Sequence, residues 1–234
     1  MPFCIGATQL PLVEANPNRK RRWDLINKVL DAEAQKSNKK DKSSIAFSNV
    51  SWNKLAFAFP MKELVLKRVS IPLELLDNLH QQLLVIHKLF GNVTSGKEAK
   101  RLQFISPILI AVCQLLPSVS ISVEEDMEGT YVHANGHFEF VLEYGGKKVC
   151  IVEAKKDDME KGQAQSLLGC EVVAEIENKS TVYAIVTNYV EWLFFKNTDE
   201  DVYYCLQTLL LRGFVPTKDS VGDVASLIYG MLKE

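Results

Sequence analysis

The sequence predicts an α/β fold, and the order of its hydrophobic patterns is the main evidence. Apolar residues at helical spacing come first, and three short strand-like runs follow them. A further helical segment, two more strand-like runs and a closing helix complete the order. With 234 residues, of which 47% are hydrophobic, the chain can bury one sizeable core. Helices that alternate with strands in this way favour a sheet covered by helices.

Charge divides the chain into two parts. Residues 1–68 carry 13 Lys and Arg against 6 Asp and Glu, whereas residues 69–234 carry 14 against 23. We therefore predict a basic and partly flexible N-terminal extension, 1–68, followed by an acidic domain, 69–234. The overall net charge of −2 argues against a strongly basic nucleic-acid binder, but the extension alone carries +7.

The basic extension contains an unbroken cationic run. Its members are Arg19, Lys20, Arg21 and Arg22. Together with the lysines that follow, the run fits a phosphate-binding arm or a bipartite nuclear-localisation pattern, and a solvated charged surface is an equal alternative. Residues 23–34 predict a short helix, residues 35–44 a polar loop, and residues 47–69 an apolar segment of ambiguous secondary structure.

The acidic domain gives clearer signals. Helices are predicted over residues 73–90, from residue 97 to 112, over 157–176 and over 219–233, with a kink or break at Pro107. Strands are predicted over residues 119–125, 137–144, 149–156, 181–187 and 191–196.

Three charged residues stand out on the second and third of these strands. Glu153 and Lys155 share one strand face because side chains alternate, and Glu139 lies on the preceding strand. A two-residue turn at Gly145-Gly146 pairs Glu139 with Val152 and separates the two acids, whereas one extra residue pairs Glu139 with Glu153. A joint site therefore requires an odd-length loop or a β-bulge. Two converging carboxylates are typical ligands of Mg²⁺, and a neighbouring lysine can orient the attacking water or neutralise a phosphate.

The motif formed by Glu139, thirteen intervening residues and Glu153-Ala154-Lys155 resembles the PD-(D/E)XK nuclease signature. The segments FISPIL, GHFEFVL, VEAKKDD and IVTNYVEWLFF are also similar to nuclease-like C-terminal regions of Crinkler-type effectors of oomycetes and fungi. The resemblance covers roughly residues 98–196. It implies a restriction-endonuclease-like αβββαβ core with a mixed central sheet. The sequence departs from the family at Glu139, where many members have aspartate.

The resemblance also implies roles for individual residues. Glu139 and Glu153 match the two metal-binding acids, Lys155 the catalytic lysine, and Glu98 the helical acid that many members add. Gln165 matches a glutamine that orients the site or its substrate. Contacts with nucleic acid are assigned to six residues: Arg19, Lys20, Arg21, Arg22, Lys156 and Gln163. An acid such as Glu98 at a helix start is equally well explained by the helix dipole.

These matches lead to a functional prediction. We expect an endonuclease that hydrolyses DNA with Mg²⁺, for which Mn²⁺ can substitute, and RNA is the other substrate considered. The alternatives are a catalytically weak or inactive nuclease-fold module that binds nucleic acid, and an effector whose partner is a host protein. A homodimer is considered but no dimer motif is visible.

Several features bear on where the protein acts. The first residues lack the pattern of a secretory signal, and no apolar stretch reaches the ~18–20 residues of a membrane span. The five cysteines are scattered without a CxxC pair, which gives a zinc site no support and favours an intracellular setting. We expect the nucleus, and the host nucleus if the protein is an effector.

Overall fold

A computed structural model of the chain describes residues 16–36 and 44–234. The helices of this part are α1 (Pro17–Lys36), α2 (Trp52–Leu55), α3 (Leu73–Phe90), α4 (Glu98–Cys113), α5 (Met159–Glu177) and α6 (Lys218–Leu232). Its longer strands are β3 (Val119–Glu128), β4 (Ala134–Tyr144), β5 (Lys147–Ala154), β6 (Thr181–Thr187), β7 (Glu191–Thr198) and β8 (Val202–Thr208). Its short strands are β1 (Ile45–Ala46), β2 (Met61–Glu63), β9 (Leu211–Arg212) and β10 (Val215–Pro216).

Eight of these strands form one mixed sheet. Its order is β1-β4-β5-β6-β7-β8-β2, and β3 pairs with β4 as well. Strand β5 is antiparallel to β4 but parallel to β6, so the candidate residues on β4 and β5 lie inside the sheet. The predicted α/β class with a mixed, helix-flanked sheet is confirmed.

Helices cover both faces of the sheet. On one face, side chains of α1 and α5 pack with Phe138, Val141 and Ile151 in one buried cluster. On the other face, side chains of α3, α4 and α6 pack with Phe140, Leu142 and Val152. Phe140, Val141 and Leu142 alternate between the two cores, as side chains of a regular strand do, whereas Phe138 packs in the core opposite to that of Phe140, two positions away.

Helix α1 is longer than the sequence predicts. It begins at Pro17 rather than near Trp23, and its buried side chains repeat at intervals of three and four residues. The buried set consists of Arg19, Arg22, Trp23, Ile26, Leu30 and Ala34. The prediction missed the first turns because two of the buried residues are arginines, which a hydrophobicity pattern counts as exposed. The prediction of a division at residue 68 is not tested, although α1 shares its core with α5.

The strands and helices of the acidic domain follow the predictions closely. Thr181–Thr187 agrees at both ends, and the other predicted elements agree within a few residues. Helix α4 continues through Pro107 and is not split there, and Ile105, Pro107 and Ile108 are buried in this stretch. Strands β8, β9 and β10 fall in residues 197–218, for which no element was predicted. Parts of the predicted irregular lead and of the polar loop, residues 1–15 and 37–43, lie outside the described residues.

Candidate active site

The hairpin between β4 and β5 determines whether the two acids meet. Tyr144 pairs with Lys147 across Gly145 and Gly146, whose φ angles of 58° and 76° suit a two-residue turn that needs glycine. The register then shifts between Leu142 and Glu143, so that one strand carries an extra residue.

The shift is a β-bulge at Val149. Leu142 pairs with Cys150 and Glu143 pairs with Lys148, which leaves Val149 unpaired. Phe140 consequently pairs with Val152, and the next positions in this register are Glu139 and Glu153. The hairpin therefore contains the bulge that the joint site was predicted to require, and this bulge offsets the two-residue turn.

Glu153 is buried at the end of β5. Its relative exposure is 2%, and its Oε2 atom finds no hydrogen-bond partner in the described part of the chain. Burial and the negative charge of Glu139 raise the pKa of Glu153 to about 9. Glu139 is held in place by the N–H of Ala154, which donates to its Oε2 atom at 3.1 Å.

Lys155 connects Glu153 to helix α4. Its Nζ atom contacts Glu153 Oε1 and lies 3.5 Å from Glu98 Oε1. Burial lowers the pKa of Lys155, but the charges of Glu153, Glu139 and Glu98 act in the opposite direction and the net shift is upward. Lys155 therefore stays positively charged at neutral pH. Three of the predicted residues are thus in direct contact, and Glu139 adjoins them.

Helix α5 packs directly against the lysine. A Cβ atom on Gly162 would lie 2.8 Å from Lys155 Cγ and 2.6 Å from Val186 Cγ1, so only glycine fits without a shift. The N–H of Lys155 also donates to the carbonyl of Thr187 at 2.8 Å. These two contacts fix the lysine backbone and stem. The sequence reasoning did not single out Gly162, and a glycine in the first turn of a predicted helix was the available signal.

The glutamines of α5 lie elsewhere. Gln163 is buried and its Nε2 atom is 3.3 Å from Met61 Sδ on β2, so its expected contact with nucleic acid stays a prediction that this packing does not support. Gln165 is also buried, and its Oε1 atom has no partner among residues 16–36 and 44–234. It lines a cavity of about 510 Å³ whose wall includes Asn135 and His137 but not the Glu153–Lys155 pair.

The basic run of α1 is only half exposed. Arg19 and Arg22 are 1% and 5% exposed, and both form ion pairs with the buried carboxylate of Glu171. Both guanidinium groups donate to protein acceptors instead of projecting into solvent, so the structure gives their predicted contact with nucleic acid no support and that assignment stays a prediction. Lys20 and Arg21 are exposed. Lys156 is exposed as well, 3.5 Å from Asp157.

The geometry allows a metal site with two carboxylate ligands. Within the described residues, no group of three or more His, Cys, Asp or Glu side chains is arranged to hold a metal ion. Glu98 is directed to Lys155 rather than to the other acids. Mg²⁺ commonly uses only one or two carboxylates and takes its other ligands from water and substrate phosphates.

Comparison with known proteins gives one strong similarity. The chain is 40% identical over 230 residues to "Crinkler effector protein 5" of Phytophthora infestans. The chain is homologous to this Crinkler protein. The match includes 97% of the chain but 65% of the Crinkler protein, so the chain spans less than two thirds of its relative. The predicted Crinkler-like relationship is confirmed, whereas the PD-(D/E)XK assignment stays a prediction.

Two further findings complete the comparison. No protein-family model matches the sequence. Across the described ranges, no helix combines the length and the hydropathy that crossing a membrane would require.

Proposed function

We propose that the protein is an effector and a Mg²⁺-dependent endonuclease that hydrolyses phosphodiester bonds in DNA. One observation carries the proposal: the bulge at Val149 aligns Glu139 with Glu153, beside a charged lysine. A bulge that re-aims side chains is common next to active sites. The order α4-β3-β4-β5-α5-β6 also agrees with the αβββαβ core that the resemblance implies.

The two acids provide a suitable environment for a divalent cation. Glu153 has a buried, unpartnered oxygen, and its ionised form is disfavoured by burial and by Glu139. A cation between the carboxylates would compensate both effects and displace the proton from Glu153. When bound, Mg²⁺ lowers the pKa of a coordinated water and neutralises charge on phosphate.

Lys155 has a defined role in this proposal. Because its pKa is raised, it acts as a cation rather than as a general base at neutral pH. Its ammonium group can hold the attacking water in position and stabilise the additional negative charge of the transition state. Glu98 keeps the lysine extended toward α4, which makes Glu98 a positioning residue.

The effector role is supported by the homologous Crinkler protein, whose name describes an effector. For the site of action we propose the host nucleus, where host DNA is located. Lys20 and Arg21 remain accessible for recognition by an import receptor, whereas Arg19 and Arg22 do not.

Cleavage of plasmid DNA tests the enzymatic proposal. The purified protein should nick plasmid in Mg²⁺ or Mn²⁺ but not in EDTA, and Lys155→Ala should lower the rate about 100-fold or more. Lys28→Ala is the matched control, because Lys28 is an exposed lysine on α1. Full activity of Lys155→Ala, with thermal unfolding unchanged, would refute the assignment.

A second function is a nucleic-acid-binding module with little or no cleavage. It is favoured by the small ligand set, since Glu98 is paired with Lys155 instead of completing a three-carboxylate site. Calorimetric titration with Mn²⁺ separates the two. Metal binding that Glu139→Gln abolishes supports the enzyme, and DNA binding without metal binding supports the module.

A further inference from the structure

We infer that the loop 91–97 and the start of α4 form a phosphate-binding subsite that holds the nucleic-acid backbone next to the candidate active site. The inference rests on the proposed function, since it assigns a backbone contact to the substrate of the same site. The position is close to the acids because Glu98, the first residue of α4, contacts Lys155.

Arg101 gives the main evidence. Its side chain is nearly fully buried, with 3% exposure, and its Nη2 atom donates to the Thr94 carbonyl at 3.4 Å. Its Nε and Nη1 atoms have no hydrogen-bond partner within residues 16–36 and 44–234. A buried guanidinium with two unsatisfied nitrogens is unfavourable, because the lost hydration is not replaced. An anion at the loop would supply the missing acceptors.

The helix start supports an anion at the same place. Helix α4 has 16 residues, and its N-cap residue, Lys97, makes no side-chain capping bond. The first N–H groups of a helix lack partners within the helix and carry partial positive charge, so they favour anions. Gly96 precedes the cap with a φ of 97°, a conformation that favours glycine.

Local charge is positive although the domain as a whole is acidic. Lys97 is exposed, and Lys100 folds back onto the loop, where its Nζ atom donates to the Asn92 carbonyl at 2.7 Å and to Ser95 Oγ at 3.3 Å. The one carboxylate in this turn belongs to Glu98 and is directed to Lys155. Phosphate oxygens therefore meet an excess of positive charge here.

Tyr189, whose ring packs against Phe104 of α4, contributes a further unpartnered donor. Its hydroxyl is buried without a partner in the described chain, and its ring centroid lies 5.2 Å from that of Phe104, one turn beyond Arg101. Its N–H donates to Thr187 Oγ1 at 2.9 Å, and the carbonyl of Thr187 accepts from Lys155. In the described residues, four of the seven buried unpartnered atoms belong to Arg101, Tyr189 and His87, and the rings of Tyr189 and His87 lie 5.2 and 6.4 Å from that of Phe104.

These groups define the chemistry of the ligand. Unpaired donors from two elements and a helix start require an acceptor-rich anion, and a phosphodiester matches this description. Because the subsite adjoins Glu98 and Lys155, we assign it to a backbone phosphate beside the one that is cleaved. The positive charge at the start of α4 would let the acidic domain bind a polyanion, and the buried arginines of α1 would not need to take part.

Binding of a fluorescent DNA duplex in EDTA tests the subsite without requiring catalysis. Fluorescence anisotropy should show that Lys97→Ala weakens binding about 3-fold and lowers the salt slope by about 1, as the loss of one phosphate contact predicts. Arg101→Met should weaken binding about 10-fold or more. Lys28→Ala removes the same charge from α1, on the opposite face of the sheet, and should retain wild-type affinity.

Inorganic phosphate distinguishes an anion site from a structural arginine. Phosphate at constant ionic strength should raise the melting temperature of the wild type, and Arg101→Met should abolish this increase without a lower melting temperature in phosphate-free buffer. Stabilisation by phosphate together with unchanged DNA affinity in both variants would overturn the assignment to a nucleic-acid backbone. No effect of either variant in either measurement would overturn the subsite itself.

The experiments distinguish failure of the subsite from failure of the nuclease proposal. If Lys155→Ala retains cleavage but Lys97→Ala loses affinity, the active-site assignment fails and the subsite remains. If cleavage requires Lys155 but DNA affinity is insensitive to Lys97 and Arg101, the subsite fails and the active-site assignment remains.

Discussion

Two groups of buried charges in the described residues differ in how many of their polar atoms have hydrogen-bond partners. Around Glu171, the Nη1 atoms of Arg19 and Arg22 lie 3.1 and 2.8 Å from the carboxylate, and Trp23 Nε1 donates to it at 2.8 Å. Around Lys155 and α4, by contrast, Glu153 Oε2 and two nitrogens of Arg101 have no partner in the described residues.

The difference separates a structural role from a binding role. A buried charge with a complete set of partners holds α1 against α5 and β7 and needs no ligand. A buried charge with missing partners is costly unless something outside the chain completes it, and such groups concentrate at functional sites. Residue type alone does not distinguish the two, because arginine and glutamate occur in both groups.

The largest loss of stability is expected from disrupting the ion pairs around Glu171. Glu171→Ala leaves two buried guanidinium groups without their shared carboxylate and should lower the free energy of unfolding by about 3–5 kcal/mol. Urea denaturation measures this loss. Glu160→Ala is the control, since Glu160 is exposed on the same helix and its removal should cost no more than about 1 kcal/mol.

The outcome tests the assignment of the α1 arginines. A loss below about 1 kcal/mol for Glu171→Ala would mean that the network contributes little and that Arg19 and Arg22 can leave it. A large loss would confirm that these residues are structural and are not part of an exposed arm.

An intermediate effect on stability is expected from the protonation of Glu153, which belongs to the group with missing partners. Glu153 has a pKa of about 9 in the folded protein against an ordinary value of 4.5. The folded state therefore binds more protons between these values, and the free energy of unfolding contributed by this group falls as pH rises from about 5 to 9. Glu153→Gln removes this titration. Between pH 5 and pH 8, the free energy of unfolding of the variant should therefore rise by about 1–3 kcal/mol relative to that of the wild type.

Denaturation at several pH values measures this effect, with Glu63→Gln on the exposed strand β2 as the control. Mg²⁺ should stabilise the wild type at pH 8 and leave Glu153→Gln unchanged, because the metal requires the ionised carboxyl group. Parallel pH profiles of the wild type and Glu153→Gln would show that Glu153 does not carry the shifted proton.

The sequence predicted the local strand and turn features well, but it did not predict which buried charges have hydrogen-bond partners. Strand alternation and the turn glycines were sufficient to state that Glu139 and Glu153 meet only through an odd-length loop or a bulge. They did not identify Val149 as the extra residue, because its unpaired position depends on backbone geometry that its valine side chain does not signal. The close approach of Gly162 to Lys155 likewise depends on how α5 packs.

Long-range pairs were beyond sequence reasoning. Arg19 and Glu171 are 152 residues apart, and nothing local distinguishes a buried arginine from the exposed Lys20 beside it. The same limit applies to Arg101, whose missing partners become visible only in the folded chain, where the loop 91–97 lies against it. The prediction that Lys155 stands beside Glu153 succeeded because both residues belong to one strand end.

The smallest effect is expected from the exposed half of the α1 cluster. Lys20 and Arg21 are exposed and lie between the two buried arginines, so Lys20→Ala and Arg21→Ala should change the free energy of unfolding by no more than about 0.5 kcal/mol. If the exposed pair contacts DNA, each substitution should weaken binding about 2-fold at low salt, and the difference should shrink as salt rises. Anisotropy titrations over a range of salt concentrations measure this, with Lys28→Ala as the control on the same helix. Unchanged affinity in both variants would restrict the basic cluster to its structural role and leave the start of α4 as the cationic surface for DNA.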